Sequence, residues 1–123
     1  MLESNKAILE EANAAVMRGD TEGFLSFCTD DTLWTFVGET TLRGKEAVRQ
    51  WMTMAYNAPP KLTVSHLIAE GDFVTALGDV IMTDEDGKVA NYSYCDVWRF
   101  RGGKMVELRA FVIKNEVEDQ SRV

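Results

Sequence analysis

A carboxylate interrupts an aromatic row in this chain. In the stretch YSYCDVWRF, residues 92–100, alternate positions read Tyr92, Tyr94, Asp96, Trp98 and Phe100. If that row faces an enclosed space, Asp96 cannot keep its charge cheaply. Desolvation raises a buried carboxyl's pKa by up to several units, and the neutral acid becomes a hydrogen-bond donor. Such a donor can hold a carbonyl or a developing oxyanion. The alternative is a structural acid bonded to a tyrosine, a turn or a buried water. His66 is the single histidine, and its unperturbed pKa lies near neutrality. It sits in the otherwise apolar row Leu62, Val64, His66, Ile68. There it is either a satisfied core or rim residue, or a pocket base that moves protons or orients water. Tyr94 can donate a hydrogen bond to a ligand, as can Tyr56 and Tyr92. Asp96, His66 and Tyr94 are therefore the candidate catalytic set.

Trp34, Phe36, Trp51 and Trp98 supply large apolar surface for a core or a pocket wall. With Ala12, Phe27, Tyr56, Tyr92, Leu108, Ala110 and Val112 they form the candidate lining for a small hydrophobic molecule. No glycine-rich phosphate loop and no metal-ligand cluster is visible, so neither cofactor nor metal is expected. Cys28 and Cys95, far apart and outside any CxxC, read as reduced, mostly buried thiols.

Whether Asp96 points inward depends on the register of the last hairpin, because a slip of one residue turns every side chain over. A two-residue Gly102-Gly103 loop sets Asp96 opposite Arg109 as an ion pair. A three-residue loop including Lys104 sets the aromatic row beside Val106, Leu108, Ala110 and Val112, and Arg99 opposite Glu107. The second register satisfies hydrophobic alternation and charge pairing together, and is preferred.

The elements that must hold these residues follow from periodicity. Ile8, Ala12, Ala15 and Val16 recur at helical spacing in 3–18, and Gly19 stops the run. Asp20 can cap a short second helix carrying Phe24, Leu25, Phe27 and Cys28. After Gly44, the stripe Val48, Trp51, Met52, Ala55, Tyr56 marks a third helix, ended by Pro59-Pro60. Strands are expected over 32–37, 62–70, 73–83, 88–101 and 104–114, with turns at 71–72, 84–87 and 102–103. Asp30-Asp31 should lie on the surface beside helix two, Asp79 in solvent, and 116–123 in a frayed tail. Helices first and an antiparallel sheet after them make an α+β chain. Three helices across a strongly curved, mostly antiparallel sheet would leave a cone-shaped pocket.

The 123 residues amount to one domain, 1–123, and 46% apolar content argues against disorder. A formal charge of −7 argues against nucleic acid or an anionic membrane as the main partner. With no signal-like opening and no long apolar run, a soluble, cytoplasmic protein is expected.

The segments FCTDDTLWTFVG, LRGKEAVRQWM, AEGDFVTALG and CDVWRFRGGKMVELRAFVIKN resemble, in order and spacing, the nuclear-transport-factor-2-like superfamily. Its members include ketosteroid isomerases, SnoaL-like polyketide cyclases, limonene-epoxide hydrolases and scytalone dehydratases. The resemblance implies the cone-shaped α+β fold over about residues 3–115, and a homodimer through the sheet. The final hairpin is most similar to that of the ketosteroid isomerases. This implies that Asp96 stands where those enzymes keep a protonated oxyanion-hole acid. Their general base would fall at Phe36 and their oxyanion-hole tyrosine at Ala12, which argues against steroid isomerisation. Three readings follow. The first is a cofactor-independent isomerase, cyclase or dehydratase acting on a small hydrophobic molecule through Asp96. The others are a non-catalytic binder and a dimeric association module.

Overall fold

The structure, a computed structural model, describes residues 4–56, 58–83 and 86–115. The chain runs α1 (Asn5–Met17), α2 (Thr21–Leu25), β1 (Cys28–Phe36), β2 (Thr40–Arg43), α3 (Lys45–Ala55), β3 (Lys61–Glu70), β4 (Phe73–Thr83), β5 (Val89–Arg101) and β6 (Lys104–Lys114). The six strands form one sheet in the order β2-β1-β6-β5-β4-β3. Only the β1–β6 pair is parallel. This is the α+β, mostly antiparallel arrangement expected. The expected tail at 116–123 and Asp84-Glu85 of the 84–87 turn lie outside the described residues.

Local signals set the helix ends. Ser4 Oγ accepts from Ala7 N at 3.2 Å at the start of α1. At its end Asp20 N bonds Ala15 O and Gly19 N bonds Val16 O, with Gly19 at φ 78°, a left-handed stop that glycine adopts without strain. Asp20 Oδ1 then accepts from Gly23 N at 2.8 Å and starts α2. α2 ends at Leu25, so Phe27 and Cys28 are not helical as the apolar pattern suggested. Cys28 instead opens β1, which begins earlier than the expected 32. Its register against β6 shifts between Cys28 and Leu33, over the polar stretch that holds Asp30 and Asp31. Asp30 and Asp31 are exposed and pair with Lys45 at 3.3 Å and Arg101 at 2.8 Å. β2, a four-residue edge strand, has no sequence pattern strong enough to announce it.

The β5–β6 hairpin combines both registers considered above. Arg101 pairs with Lys104, so the tip is the two-residue Gly102-Gly103 turn. The register then shifts between Arg99 and Phe100, and beyond it Asp96 faces Ala110 and Arg99 faces Glu107. That last pair is bonded at 3.0 Å. A bulge thus supplies the extra residue that the longer loop would have supplied.

A third shift, between Val64 and His66 of β3, corrects the row Leu62, Val64, His66, Ile68. Leu62 faces Val80 and Val64 faces Gly78. Past the shift Leu67 faces Ala76, while His66 faces Leu77 and Ile68 faces Thr75. The bulge therefore turns His66 and Ile68 to the face opposite Leu62.

The helices cover the concave sheet face. Ile8, Leu9, Ala12, Ala15 and Val16 of α1, Phe24 and Leu25 of α2, and Val48 and Met52 of α3 are buried there. They pack with Trp34, Trp98, Met105 and Leu108 of the sheet. Gly78 lets β3 approach β4 closely beside its bulge. A Cβ at that position would lie 2.1 Å from the Thr63 carbonyl oxygen and 3.0 Å from the Tyr94 hydroxyl. Gly78→Ala is expected to destabilise the fold by about 2–3 kcal/mol, as overpacking against backbone does. In thermal unfolding this reads as a midpoint lower by roughly 10 °C, and an unchanged midpoint would show that the close approach can relax.

Candidate functional site

The concave face does not fill completely. Between it and the helices lies a cavity of about 270 Å³. Trp34 and Phe36 line it from β1, Tyr92, Tyr94, Asp96 and Trp98 from β5, and Leu108, Ala110 and Val112 from β6. Trp51 and Met52 of α3 and the following Tyr56 close one side, and Asn13, Val16 and Phe24 another. Alternation explains the selection, since every second residue of a strand shares a face.

Aromatic rings make the walls. Trp34 meets Trp98 edge-on with centroids 5.6 Å apart, and Phe24 at 5.8 Å. Phe36 stacks on Trp51 at 4.7 Å, and Trp51 meets Tyr56 edge-on at 5.4 Å. Asp96 sits among them with alanines on both sides, Ala76 across β4 and Ala110 across β6. These small neighbours leave the carboxyl room to face the cavity.

Asp96 Oδ1 is buried and has no hydrogen-bond partner among the described residues. The residue as a whole keeps some accessible surface, but it lines the cavity. The carboxyl therefore sits in an apolar setting with at most cavity water around it. Burial pushes its pKa up from the ordinary 3.8 to about 7. Burial, helped by the nearby Asp96 charge, also raises the Tyr56 phenol, and Tyr94 is pushed up to about 12 by burial, Asp96 and Asp79 in that order. Both phenols thus stay neutral donors. Trp34 Nε1 is a second buried polar atom with no partner among the described residues. The described lining contains no Lys, Arg or His, so nothing there offsets a negative charge.

The other candidates lie elsewhere. His66 is exposed, on the face the β3 bulge turns away, and Ser65 Oγ is 3.3 Å from its Nδ1. It cannot serve the cavity as a base. Ala12 is fully buried in the helix-sheet core, behind the lining, and the adjacent Asn13 reaches the cavity instead. Phe27 packs half-buried after α2, outside the lining. Its carbonyl accepts from Met105 N at 2.8 Å. Asp79 is exposed and accepts from Ser93 Oγ at 3.1 Å. The cysteines are free, Cys28 buried with its thiol pushed up to about 12 by burial, Cys95 half-buried. Sequence reasoning missed Leu62 of β3 and Ala76, Val80 and Met82 of β4, whose alternation was legible, Asn13, Val16, Phe24 and Met52 of the helices, and Glu39 of the β1–β2 turn, which no pattern marks. No group of three His, Cys, Asp or Glu suited to a metal occurs among the described residues. No helix among them is long and apolar enough to cross a membrane.

Residues 9–108 match the family profile described as a SnoaL-like domain. The chain therefore belongs to the SnoaL-like family. A search of curated proteins finds no match. Among solved structures it is similar to SalBIII, described as an epoxide hydrolase/cyclase-like enzyme in pyran ring formation in the polyether salinomycin. The two share 23% identity over 88% of this chain and 89% of that one, with a TM-score of 0.81. An NTF2-like protein of unknown function from Burkholderia pseudomallei has 23% identity over 89% and 90%, with a TM-score of 0.78. TerC, co-crystallised with polyporic acid, has 21% identity over 87% and 89%, with a TM-score of 0.74. At these identities the likeness establishes the fold.

The raised carboxyl gives stability a definite pH dependence. Between pH 4 and 7 the folded protein holds on Asp96 a proton that the unfolded chain has released, so stability falls as pH rises through that window. Asp96→Asn carries no charge at any pH. It should match the wild type near pH 4 and exceed it at pH 8 by about 2–4 kcal/mol, the lower figure allowing for cavity water. Paired denaturant titrations at the two pH values measure this. A carbon NMR titration of the Asp96 carboxyl with its midpoint near 4 would contradict it.

Proposed function

We propose that this SnoaL-like protein is a cofactor-independent enzyme that moves protons on a small hydrophobic ring compound bearing a carbonyl or hydroxyl oxygen, as a cyclase, isomerase or dehydratase. The observation that carries this reading is the unpartnered, buried Asp96 oxygen in an aromatic cavity. In its neutral form Asp96 donates to the substrate oxygen, and the carboxylate left behind accepts a proton from a neighbouring atom. In a dehydration, the C–O bond breaks, the protonated hydroxyl leaves as water, and the carboxylate removes the adjacent C–H proton. The proton balance then closes on one carboxyl. A pKa of about 7 suits a group that must both give and take a proton near neutral pH. The neutral Tyr56 and Tyr94 hydroxyls are available to hold the oxygen. The cyclase-like description of SalBIII supports the reading as precedent on this fold and no further.

A second reading, a non-catalytic binder of the same class of molecule, is favoured by one observation. His66 stands outside the cavity, so the carboxyl groups lining it, Asp96 and, at the exposed β1–β2 turn, Glu39, have only tyrosine hydroxyls beside them as further proton carriers. Under either reading a second copy of the chain covers the sheet face opposite the cavity, where Ile68, Phe73, Phe111 and Ile113 are exposed.

A panel of cyclic β-hydroxyketones and enones in D₂O, followed by proton NMR, tests the enzyme reading. Water loss or deuterium incorporation is expected, at least 100-fold slower in Asp96→Asn with binding retained. The donor step should decline about tenfold per pH unit above 7. Binding of the panel without turnover would select the binder instead. For the convex face, the double variant Phe111→Asp, Ile113→Asp should sediment as a monomer where the wild type sediments as a dimer. A monomeric wild type would remove the second copy from the proposal.

A further inference from the structure

Beside the cavity, a surface groove of about 560 Å³ runs between α1 and the edge strand β3. Lys6, Glu10, Asn13 and Met17 line one side of it. Steps of four, three and four residues keep them on a single stripe of the helix, which at the α-helical rise is about 16 Å long. The other side is β3, over residues 62 and 64–67. β3 stands at the end of the sheet beside β4, so its outer edge carries main-chain donors and acceptors that no strand uses. Regular alternation would turn every second residue of 64–67 away. The bulge between Val64 and His66 breaks that alternation, and Ser65 and His66 both line the groove.

Groove and cavity adjoin. Asn13 and Leu62 are half-buried and line both, so these two side chains stand where a bound molecule would pass from one space to the other. The two linings differ in chemistry. Aromatic rings wall the cavity, whereas the groove offers the Lys6 ammonium, the Glu10 carboxylate, the Asn13 amide and the His66 ring. Lys6 and Glu10 carry opposite charges, so a ligand with net charge gains little there. A carboxylate needs a donor, an ammonium needs an acceptor, and an amide takes both. A hydroxyl group donates and accepts at one atom, so a row of hydroxyls matches this lining. Ethers and esters only accept.

We propose that the groove is a second subsite for the substrate. It takes an uncharged, hydroxyl-rich arm that is attached to the ring held in the cavity and passes Asn13 and Leu62. Such an arm has a place only if the cavity is the substrate site, as in the reading above. His66 then contacts the arm and takes no part in proton transfer.

2-Naphthyl maltoside, which carries such an arm, and 2-naphthol, which lacks it, test this on the whole chain. The maltoside should bind at least tenfold more tightly, the yield of about two net hydrogen bonds. 2-Naphthol should displace it, because both rings use the cavity. His66 is the single histidine, so its ring signals in carbon-proton NMR are unambiguous. They should move with the maltoside and stay in place with 2-naphthol. Glu10 is exposed, so Glu10→Ala leaves the core intact. It should weaken the maltoside at least fivefold, as loss of a hydrogen bond to a charged group does, and 2-naphthol less than twofold. No binding of the maltoside, equal affinity for the two probes, static His66 signals, or a maltoside that 2-naphthol does not displace would overturn the proposal. The two proposals fail separately. Asp96-dependent turnover of ring compounds with no gain from the arm removes this one alone, and a gain from the arm with no Asp96-dependent turnover removes the proton-transfer reading alone.

Discussion

Hydrogen bonding between β5 and β6 pairs Asp96 with Ala110 and leaves Arg109 exposed on the other face. Everything about the site depends on that pairing. With the register at the hairpin tip carried through unchanged, Asp96 would meet Arg109, and a guanidinium would hold its carboxyl ionised. The bulge between Arg99 and Phe100 prevents this by adding one residue to one strand. The Arg99–Glu107 bond at 3.0 Å lies immediately beyond the bulge and supports the shifted register from the opposite face. A surface pair of this kind contributes little to overall stability. Its value here is that the competing register would separate these two charges.

The helices turn an inward carboxyl into a desolvated one. Schellman closure at Gly19 and the Asp20 cap bend the chain sharply between α1 and α2, which brings Phe24 against Trp34 and Trp98. Trp51 of α3 stacks on Phe36 from the other side. Large rings contact one another before they fill the corner between them, so the space beside the small residues Ala76 and Ala110 stays open. Cavity and acid thus share one origin. The alanines that give Asp96 room are also the reason the concave face is not packed solid.

Most of this was legible in the residues. Helices from 3.6-residue periodicity, four long strands from turn glycines and β-branched runs, and the inward direction of Asp96 from the apolar face of β6 all follow from local patterns. So does the aromatic lining from Trp34, Phe36, Trp51, Tyr92 and Trp98. What stayed hidden was wherever a single residue breaks the period. Ser65 at the β3 bulge moved His66 to the other face, and alternation counted across a bulge gives the wrong side. Ala12 failed as a lining residue for a different reason. Its position on α1 is inward, but inward on that helix means the helix–sheet core, and the cavity begins one residue further on at Asn13. β2 was invisible because a short edge strand gains its pairing from β1, not from any hydrophobic pattern of its own.

A fold that leaves a buried acid and a buried indole N–H unserved gives up stability to do so. The acid limits that loss by holding its proton near neutral pH, since a neutral carboxyl is far cheaper to bury than a charged one. The indole has no such recourse, because its donor cannot be titrated away. Packing alone would allow a phenylalanine at position 34, where four ring contacts already hold the side chain in place.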